Sequence, residues 1–294
     1  MDSNRFRSYA RISAEFVGTA FLLMAVVGSG IMGERLSGGN AAIALLANTL
    51  ATGAALVALI LTFGPISGAH LNPAVTLTDA WQRGIRWIEV PGYVVAQVLG
   101  AYLGVVCAHL MFGLPLLSAS HHSRGGRSMI FSEFIATFGL ISVIWGCSRL
   151  RPSSVPFAVG AYITAAYWFT ASTSFANPAV TLARTMTDTF SGIQPVHAPG
   201  FIAAQIMGAI AATAMFRWLI PALPTVAKDI LVSHSTNARW ELYLLESVVF
   251  TREAGLGPLR ANTLDSRASA FPVYSANRVR ATLEHFLHEF RNRA

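Results

Sequence analysis

The sequence is poor in charge. Only 12% of its 294 residues are Asp, Glu, Lys or Arg, about half the share that is usual in soluble proteins. Residues 1–224 contain 19 of these charges, whereas the last 70 residues contain 16. The first part has too little charge for the surface of a soluble globule, and its composition is far from that of a disordered chain. Residues 1–224 are therefore expected to lie in a membrane, followed by a tail, residues 225–294, of ordinary soluble composition.

Lysine and cysteine are almost missing. Every basic residue except Lys228 is an arginine, and the arginines are dispersed along the chain. The net charge of +7 thus forms no basic stripe with interleaved aromatics, which disfavours nucleic-acid binding. Cys107 and Cys147 lie in apolar runs, where packing is the expected role. We expect neither a metal site nor a cofactor.

Six apolar runs have about the length that a spanning helix needs, roughly 20 residues. They are expected near residues 12–32, 41–63, 91–112, 129–148, 155–172 and 200–220. Two further stretches, residues 65–88 and 173–198, are apolar but too interrupted to cross. We expect them to re-enter the membrane where protein or a wet cavity surrounds them. With the N-terminus inside, nine basic loop residues face the cytoplasm and four face outside, which favours two cytoplasmic termini.

The chain contains an internal repeat. Residues 72–77 (NPAVTL) recur letter for letter as residues 177–182. Two weaker echoes follow the same order: residues 15–19 in 133–137, and residues 91–101 in 199–209. These matches indicate two homologous halves, about residues 10–115 and 128–222, with three spans each. An odd number of spans turns the second half over, so a site is expected where the inverted halves meet near the midplane.

The repeated motif is well suited to begin a helix, since Asn is a favoured N-cap and Pro fits the first helical position. Each re-entrant stretch is therefore expected to descend as a loop to its Asn and to return as a half-helix. Inverted repetition brings the two helix N-termini together, which places positive partial charge at the midplane. Asn72 and Asn177 then offer donors to a passing oxygen, while the dipoles oppose cations and protons. The alternative is that each Asn-Pro only caps a short buried helix.

Residues 67–76 (SGAHLNPAVT) and 177–179 (NPA) resemble the paired signature of the major intrinsic protein family, the aquaporins and aquaglyceroporins. The resemblance covers roughly residues 10–220 and identifies the chain as a bacterial-type member. It implies an all-α membrane protein of six transmembrane helices and two re-entrant half-helices, assembled as a homotetramer with one pore per protomer. It also implies a multi-pass protein of the plasma membrane, here the bacterial inner membrane, that passes small neutral solutes and water and is not an enzyme.

The resemblance also assigns roles to single residues. Asn72 and Asn177 become the pore donors. The half-helix motif is completed by Pro73, Ala74, Pro178 and Ala179. Glu15 and Glu133 match the family's buried glutamates, which hold the re-entrant loops. His70 is expected beside the pore on the cytoplasmic side, where we expect a structural hydrogen bond and consider gating as the alternative.

The outer filter departs from the family pattern, because Val180 stands where relatives usually carry Arg. Counting from the motifs places the other filter positions at Thr52, Ala165 and Ser174. These four small, uncharged residues predict a wide filter that suits glycerol-like polyols and neutral metalloid hydroxides such as arsenite. The alternative is a water-selective pore whose filter is completed by Arg184, one turn along the same half-helix, through snorkelling.

The tail, residues 225–294, falls outside the resemblance to the channel family. Residues 230–239 resemble the strand and phosphate loop of low-molecular-weight phosphatases and arsenate reductases. Arg239 is in place, but Ser233 stands where the nucleophilic Cys belongs. We therefore expect a degenerate remnant without catalysis, with a channel fused to an oxyanion-processing tail as the alternative. A further alternative is a structural family member that packs membranes and conducts little.

Overall fold

The computed structural model describes residues 3–220, and within them all regular structure is helical. The helices are α1 (Ser3–Leu36), α2 (Ala41–Ser67), α3 (Pro73–Trp81), α4 (Val90–Phe112), α5 (Arg127–Leu150), α6 (Val155–Phe169), α7 (Pro178–Arg184) and α8 (Ala198–Leu219). Short 3₁₀ turns precede three of them, at Trp87–Glu89, Pro152–Ser154 and Pro195–His197. The all-α class predicted from the sequence is confirmed.

Five of the described helices, α1, α2, α4, α5 and α8, are long and apolar enough to cross a membrane. The sixth long helix, α6, has only 15 residues. It ends earlier than the predicted span 155–172 because the backbone at Thr170 is extended, with φ −109° and ψ 138°. The six long helices occupy the six predicted positions, and α3 and α7 lie in the two stretches that were predicted to re-enter.

Each half-helix packs against the opposite half of the repeat. α7, from the second half, contributes Ala179, Val180 and Ala183 to an apolar cluster with α1 and α4. α3, from the first half, contributes Ala74 and Val75 to a cluster with α5, α6 and α8. Close van der Waals packing of these small apolar faces holds each half-helix inside the bundle. Because each half-helix crosses to the other half, the N-termini of α3 and α7 come together.

Glycines at equivalent places in the two halves permit the closest helix contacts. A methyl group on Gly100 of α4 would overlap the carbonyl oxygen of Phe16 on α1. A methyl group on Gly208 of α8 would likewise overlap the carbonyl oxygen of Phe134 on α5. Small residues at such positions let two helix backbones approach closely within a membrane.

Gly100→Ala and Gly208→Ala should each lower the stability of the purified protein by about 1–3 kcal/mol, because backbone atoms cannot rotate away from the added methyl. Thermal unfolding in detergent micelles measures the loss. Gly64→Ala is the matched control, since no heavy atom lies within 4 Å of a methyl added there. Equal losses in all three variants would show that helix packing is not the cause.

The chain divides into two units, Met1–Thr236 and Asn237–Ala294. The whole second unit lies outside the described residues, and so do Ser233 and Arg239. The predicted boundary between residues 224 and 225, and the resemblance of the tail to a phosphate loop, therefore stay predictions.

Candidate functional site

Asn72 and Asn177 are the N-caps of α3 and α7. Both are extended, with φ of −159° and −156°, and both are buried. The side-chain oxygen of Asn72 accepts the N–H of Ala74 at 2.9 Å, and that of Asn177 accepts the N–H of Ala179 at 3.0 Å. The caps satisfy backbone donors that a helix start would otherwise leave unpaired.

The two asparagine amides also tie the halves together. Nδ2 of Asn72 donates to the carbonyl of Ala176 at 2.8 Å, and Nδ2 of Asn177 donates to the carbonyl of Leu71 at 2.7 Å. Each amide has two N–H groups, and the described residues supply one acceptor to each. The second N–H of each Asn is thus available to a molecule in the cavity that both residues line.

Glu15 is fully buried behind the first re-entrant loop. Its carboxylate accepts the backbone N–H groups of His70 at 2.9 Å and Leu71 at 2.7 Å. The hydroxyl of Ser67 and the amide of Gln97 donate to it at 2.6 and 2.8 Å. Four donors around one carboxylate satisfy a charge that burial would otherwise make costly.

Glu133 makes the equivalent contacts in the second half. It accepts the backbone N–H groups of Phe175 and Ala176, both at 2.9 Å, and the amide of Gln205 at 2.6 Å. Each glutamate thus accepts the backbone N–H groups of the two residues that directly precede the Asn of the motif. Both re-entrant loops are therefore anchored to a buried carboxylate.

The loops need this support because their backbones are strained. Left-handed conformations with positive φ occur at Ala69 (46°) and Leu71 (48°) in the first loop and at Thr173 (62°), Ser174 (51°) and Ala176 (47°) in the second. For residues other than glycine such conformations cost about 1–3 kcal/mol each. The hydrogen bonds to the two glutamates hold the strained segments in place.

Both asparagines line one cavity, whose wall is formed by residues of both halves. Its apolar wall includes Leu22, Val26, Leu56, Ile60, Val75, Leu140, Ile144, Val155, Val159 and Ile163. Besides the asparagines, the polar side chains in the wall are Thr52, His70, Tyr167, Ser174 and Arg184. An apolar passage with a few fixed polar groups can orient a small solute without holding it tightly.

Three of the four residues predicted for the filter, Thr52, Ser174 and Val180, line the cavity, and the fourth does not. Ala165 is exposed on the outer face of α6, so the structure corrects this position. Every fourth residue of α6 faces the cavity: Val155, Val159, Ile163 and Tyr167. Tyr167 takes the place predicted for Ala165, and its hydroxyl lies 3.4 Å from Oγ1 of Thr52. A large aromatic side chain therefore lines the cavity where the sequence predicts a small one.

Arg184 also belongs to the cavity wall and is only 2% exposed. Side chains on a helix lean towards its N-terminus, so this arginine reaches back from the last turn of α7. Its Nε donates to the carbonyl of Ser191, and its Cζ lies 3.4 Å above the ring centroid of Phe175. Nη1 has no hydrogen-bond partner among the described residues.

A second arginine, which the sequence analysis missed, lies nearby in the loop before α5. The guanidinium of Arg124 donates to the carbonyls of Gly192 at 2.8 Å, Phe190 at 3.1 Å and Ser172 at 3.3 Å. It also contacts Oγ1 of Thr173 at 3.3 Å, and its Cζ lies 5.3 Å from the phenylalanine ring on which Arg184 stacks. No motif surrounds Arg124, so nothing in the sequence marks it.

His70 lines the cavity and is almost fully buried. Its Nδ1 lies 3.1 Å from Oγ1 of Thr76, and its Nε2 lies 3.5 Å from a carboxylate oxygen of Asp79. In the part of the chain that the structure describes, no group of three or more His, Cys, Asp and Glu side chains comes together that could hold a metal ion.

The two halves of the repeat meet at their capped half-helices, beside a mostly apolar passage. This arrangement defines a transmembrane channel. Residues 2–154 and 148–251 match the Major intrinsic protein family, and the chain belongs to this family. Aquaglyceroporin AqpS of Rhizobium meliloti (strain 1021) is 52% identical over 217 residues, which are 74% of this chain and 93% of that protein. The chain is a channel for water and small neutral solutes, as predicted.

Two more distant similarities agree with this assignment. Aquaglyceroporin-3 of Trypanosoma brucei brucei is 34% identical over 184 residues, 54% of this chain and 59% of that protein. The X-ray structure of the aquaglyceroporin from Plasmodium falciparum matches with a TM-score of 0.58 and 21% identity, over 74% of this chain and 99% of that one. At that identity the likeness shows the fold alone.

Proposed function

We propose that the chain conducts neutral polyols, neutral metalloid hydroxides and water through a filter formed by Thr52, Tyr167, Ser174, Val180 and Arg184. The observation that carries this proposal is the state of Arg184: the residue lines the cavity, and its buried Nη1 has no hydrogen-bond partner among the described residues. A buried donor of this kind gains most from a passing acceptor. The relative from Rhizobium meliloti, named an aquaglyceroporin, supports the same class of solute.

The proposed filter combines carbon surface with a few hydrogen-bond donors. The hydroxyl groups of a polyol exchange water for the guanidinium of Arg184 and the hydroxyl of Thr52, while its carbon atoms contact Val180 and the ring of Phe175. A metalloid hydroxide presents similar neutral hydroxyl groups. Among the described residues of the wall no carboxylate offers a cation a counter-charge, and the cation meets the positive N-termini of α3 and α7, so it is excluded.

At the midplane, the second N–H of Asn72 and that of Asn177 receive the solute after the filter. Glu15 and Glu133 act as braces in this proposal, because they fix the loops from which both asparagines project. His70 has a structural role through its contact with Thr76. No step involves catalysis, and an oxyanion-processing tail stays an alternative that concerns residues outside those described.

We further propose a homotetramer in the bacterial inner membrane, with both termini in the cytoplasm. In support, four arginines lie at one end of the helical bundle: Arg11, Arg83, Arg86 and Arg217. These four belong to the larger of the two sets of basic loop residues, nine against four, which fits the rule that short cytoplasmic loops are basic. Native mass spectrometry of the solubilised protein tests the tetramer, and protease access to a C-terminal tag in inside-out vesicles tests the orientation.

Stopped-flow light scattering on proteoliposomes tests the solute class. Water, glycerol and neutral arsenite are each expected to equilibrate faster than in protein-free liposomes, and urea serves as a further neutral probe. Rapid water flux without glycerol or arsenite flux would favour the water-selective alternative. Flux at the protein-free level for every solute would favour the structural alternative.

A further inference from the structure

A basic recess lies between α3 and α8, at the end of the bundle that carries the N-terminus. It is lined by three arginines and two tryptophans: Arg83, Arg86, Arg217, Trp81 and Trp87. Within the described residues, Arg83 and Arg217 form no salt bridge, and the side chain of Arg86 is 79% exposed. The carboxylate of Glu89 lies 3.3 Å from Arg86 but also 2.7 Å from Arg11. The recess therefore keeps a surplus of positive charge.

An apolar groove adjoins the recess and shares both tryptophans with it. Its other walls belong to α3 and α8: Ala74, Leu77, Thr78, Ile206, Ala209 and Ile210. Ile210 is 48% exposed and Trp87 is 59% exposed, so the groove opens on the outer surface of the bundle. Cζ of Arg217 lies 5.7 Å from the ring centroid of Trp81, which joins the basic and the apolar parts.

We propose that the recess and the groove together bind one anionic phospholipid per protomer. The phosphate lies among Arg83, Arg86 and Arg217, whose planar guanidinium groups suit phosphate oxygens. One acyl chain lies in the groove between α3 and α8. The two indole rings stand at the boundary between headgroup and chain, the depth at which tryptophan is enriched in membrane proteins.

The presence of the apolar groove favours a phospholipid over a free anion as the ligand. Inorganic phosphate would use the arginines but would leave the apolar walls exposed, whereas a phospholipid covers both. The arginines also lie at the end of the bundle that the proposed orientation places in the cytoplasm, where anionic lipids attract basic residues. A bound lipid packs against the back of α3, the half-helix that Asn72 caps, and the site is separate from the solute cavity.

Native mass spectrometry of the full-length protein in detergent tests the headgroup contact. Phosphatidylglycerol should bind with one molecule per protomer and more tightly than phosphatidylcholine. The double variant Arg83→Gln/Arg217→Gln should weaken phosphatidylglycerol binding at least about tenfold, whereas Arg127→Gln, an exposed arginine at the other end of the bundle, should leave it unchanged. If the double variant does not purify as monodisperse protein, Arg217→Gln alone gives the same comparison with a smaller expected loss.

The groove is tested by filling it. Ile210→Trp should weaken phosphatidylglycerol binding, and Leu99→Trp, at an exposed apolar site on α4 outside the groove, should not. Millimolar inorganic phosphate should fail to displace the bound lipid. Equal binding of both lipids, equal loss in the Arg127→Gln control, or displacement by phosphate with no effect of Ile210→Trp would overturn the proposal. None of these readouts depends on solute flux, so they stand apart from the test of the proposed function.

Discussion

Glycerol and water flux should both fall by about tenfold or more when Asn72 and Asn177 are replaced together by alanine. Each replacement removes a helix cap, which contributes about 1 kcal/mol. It also removes the hydrogen bond from one half to a carbonyl of the other, to Ala176 or to Leu71. Finally, it removes the donor that compensates a solute oxygen for lost water, a loss of about 1–3 kcal/mol. A single replacement leaves one donor in place and should reduce flux less.

Asn48→Ala is the matched control for this experiment. Nδ2 of Asn48 donates to the carbonyl of Val26 at 2.7 Å and to the hydroxyl of Ser29 at 2.9 Å, and Asn48 is as buried as the pore asparagines but lies outside the cavity wall. Its replacement should lower stability while flux per folded protomer stays the same. Stopped-flow measurements at matched protein density separate the two effects. Unchanged flux in the double variant would show that solutes do not pass between α3 and α7.

The half-helices were predictable from the sequence because their ends depend on local chemistry. An Asn cap followed by Pro fixes where a helix begins, whatever packs around it. α3 and α7 begin at Pro73 and Pro178, as the repeated motif predicts. The inverted layout was predictable for a related reason, since three repeated matches in one order fix the correspondence between the halves.

The proposed filter was only partly predictable, because the sequence of α6 does not show which face of that helix meets the cavity. A helix that is apolar all round has no polar face to show which side meets the cavity. Counting from the motif therefore gave Ala165, whereas the structure brings Tyr167 to the wall. The contacts of Arg124 could not be predicted for a different reason. Its hydrogen-bond acceptors belong to loops some 50 to 70 residues further along the chain, and no local pattern connects them to it.

Replacing Val180 by arginine should reduce glycerol and arsenite flux by about tenfold or more, with a smaller effect on water. The new side chain adds bulk and about five N–H donors beside Thr52, Ser174 and Tyr167. Water is smaller and can use the added donors, so it should still pass. The backbone of Arg184 lies one turn further along α7 and its side chain reaches back towards the start of the helix, so repulsion between the two charges should push the new arginine into the passage. The ratio of glycerol to water flux, measured by stopped flow, should therefore fall.

Arg184→Ala should move the same ratio in the opposite direction. Removing a side chain that lies in the cavity wall widens the outer end of the passage, so glycerol flux should rise relative to water. Removing its positive charge should also raise the proton leak, because less repulsion then opposes cations. Arg127→Ala, at an exposed arginine outside the cavity wall, is the control for the loss of a positive charge. If Val180→Arg and Arg184→Ala both leave the glycerol-to-water ratio at the wild-type value, selection occurs elsewhere in the cavity and the proposed filter is wrong.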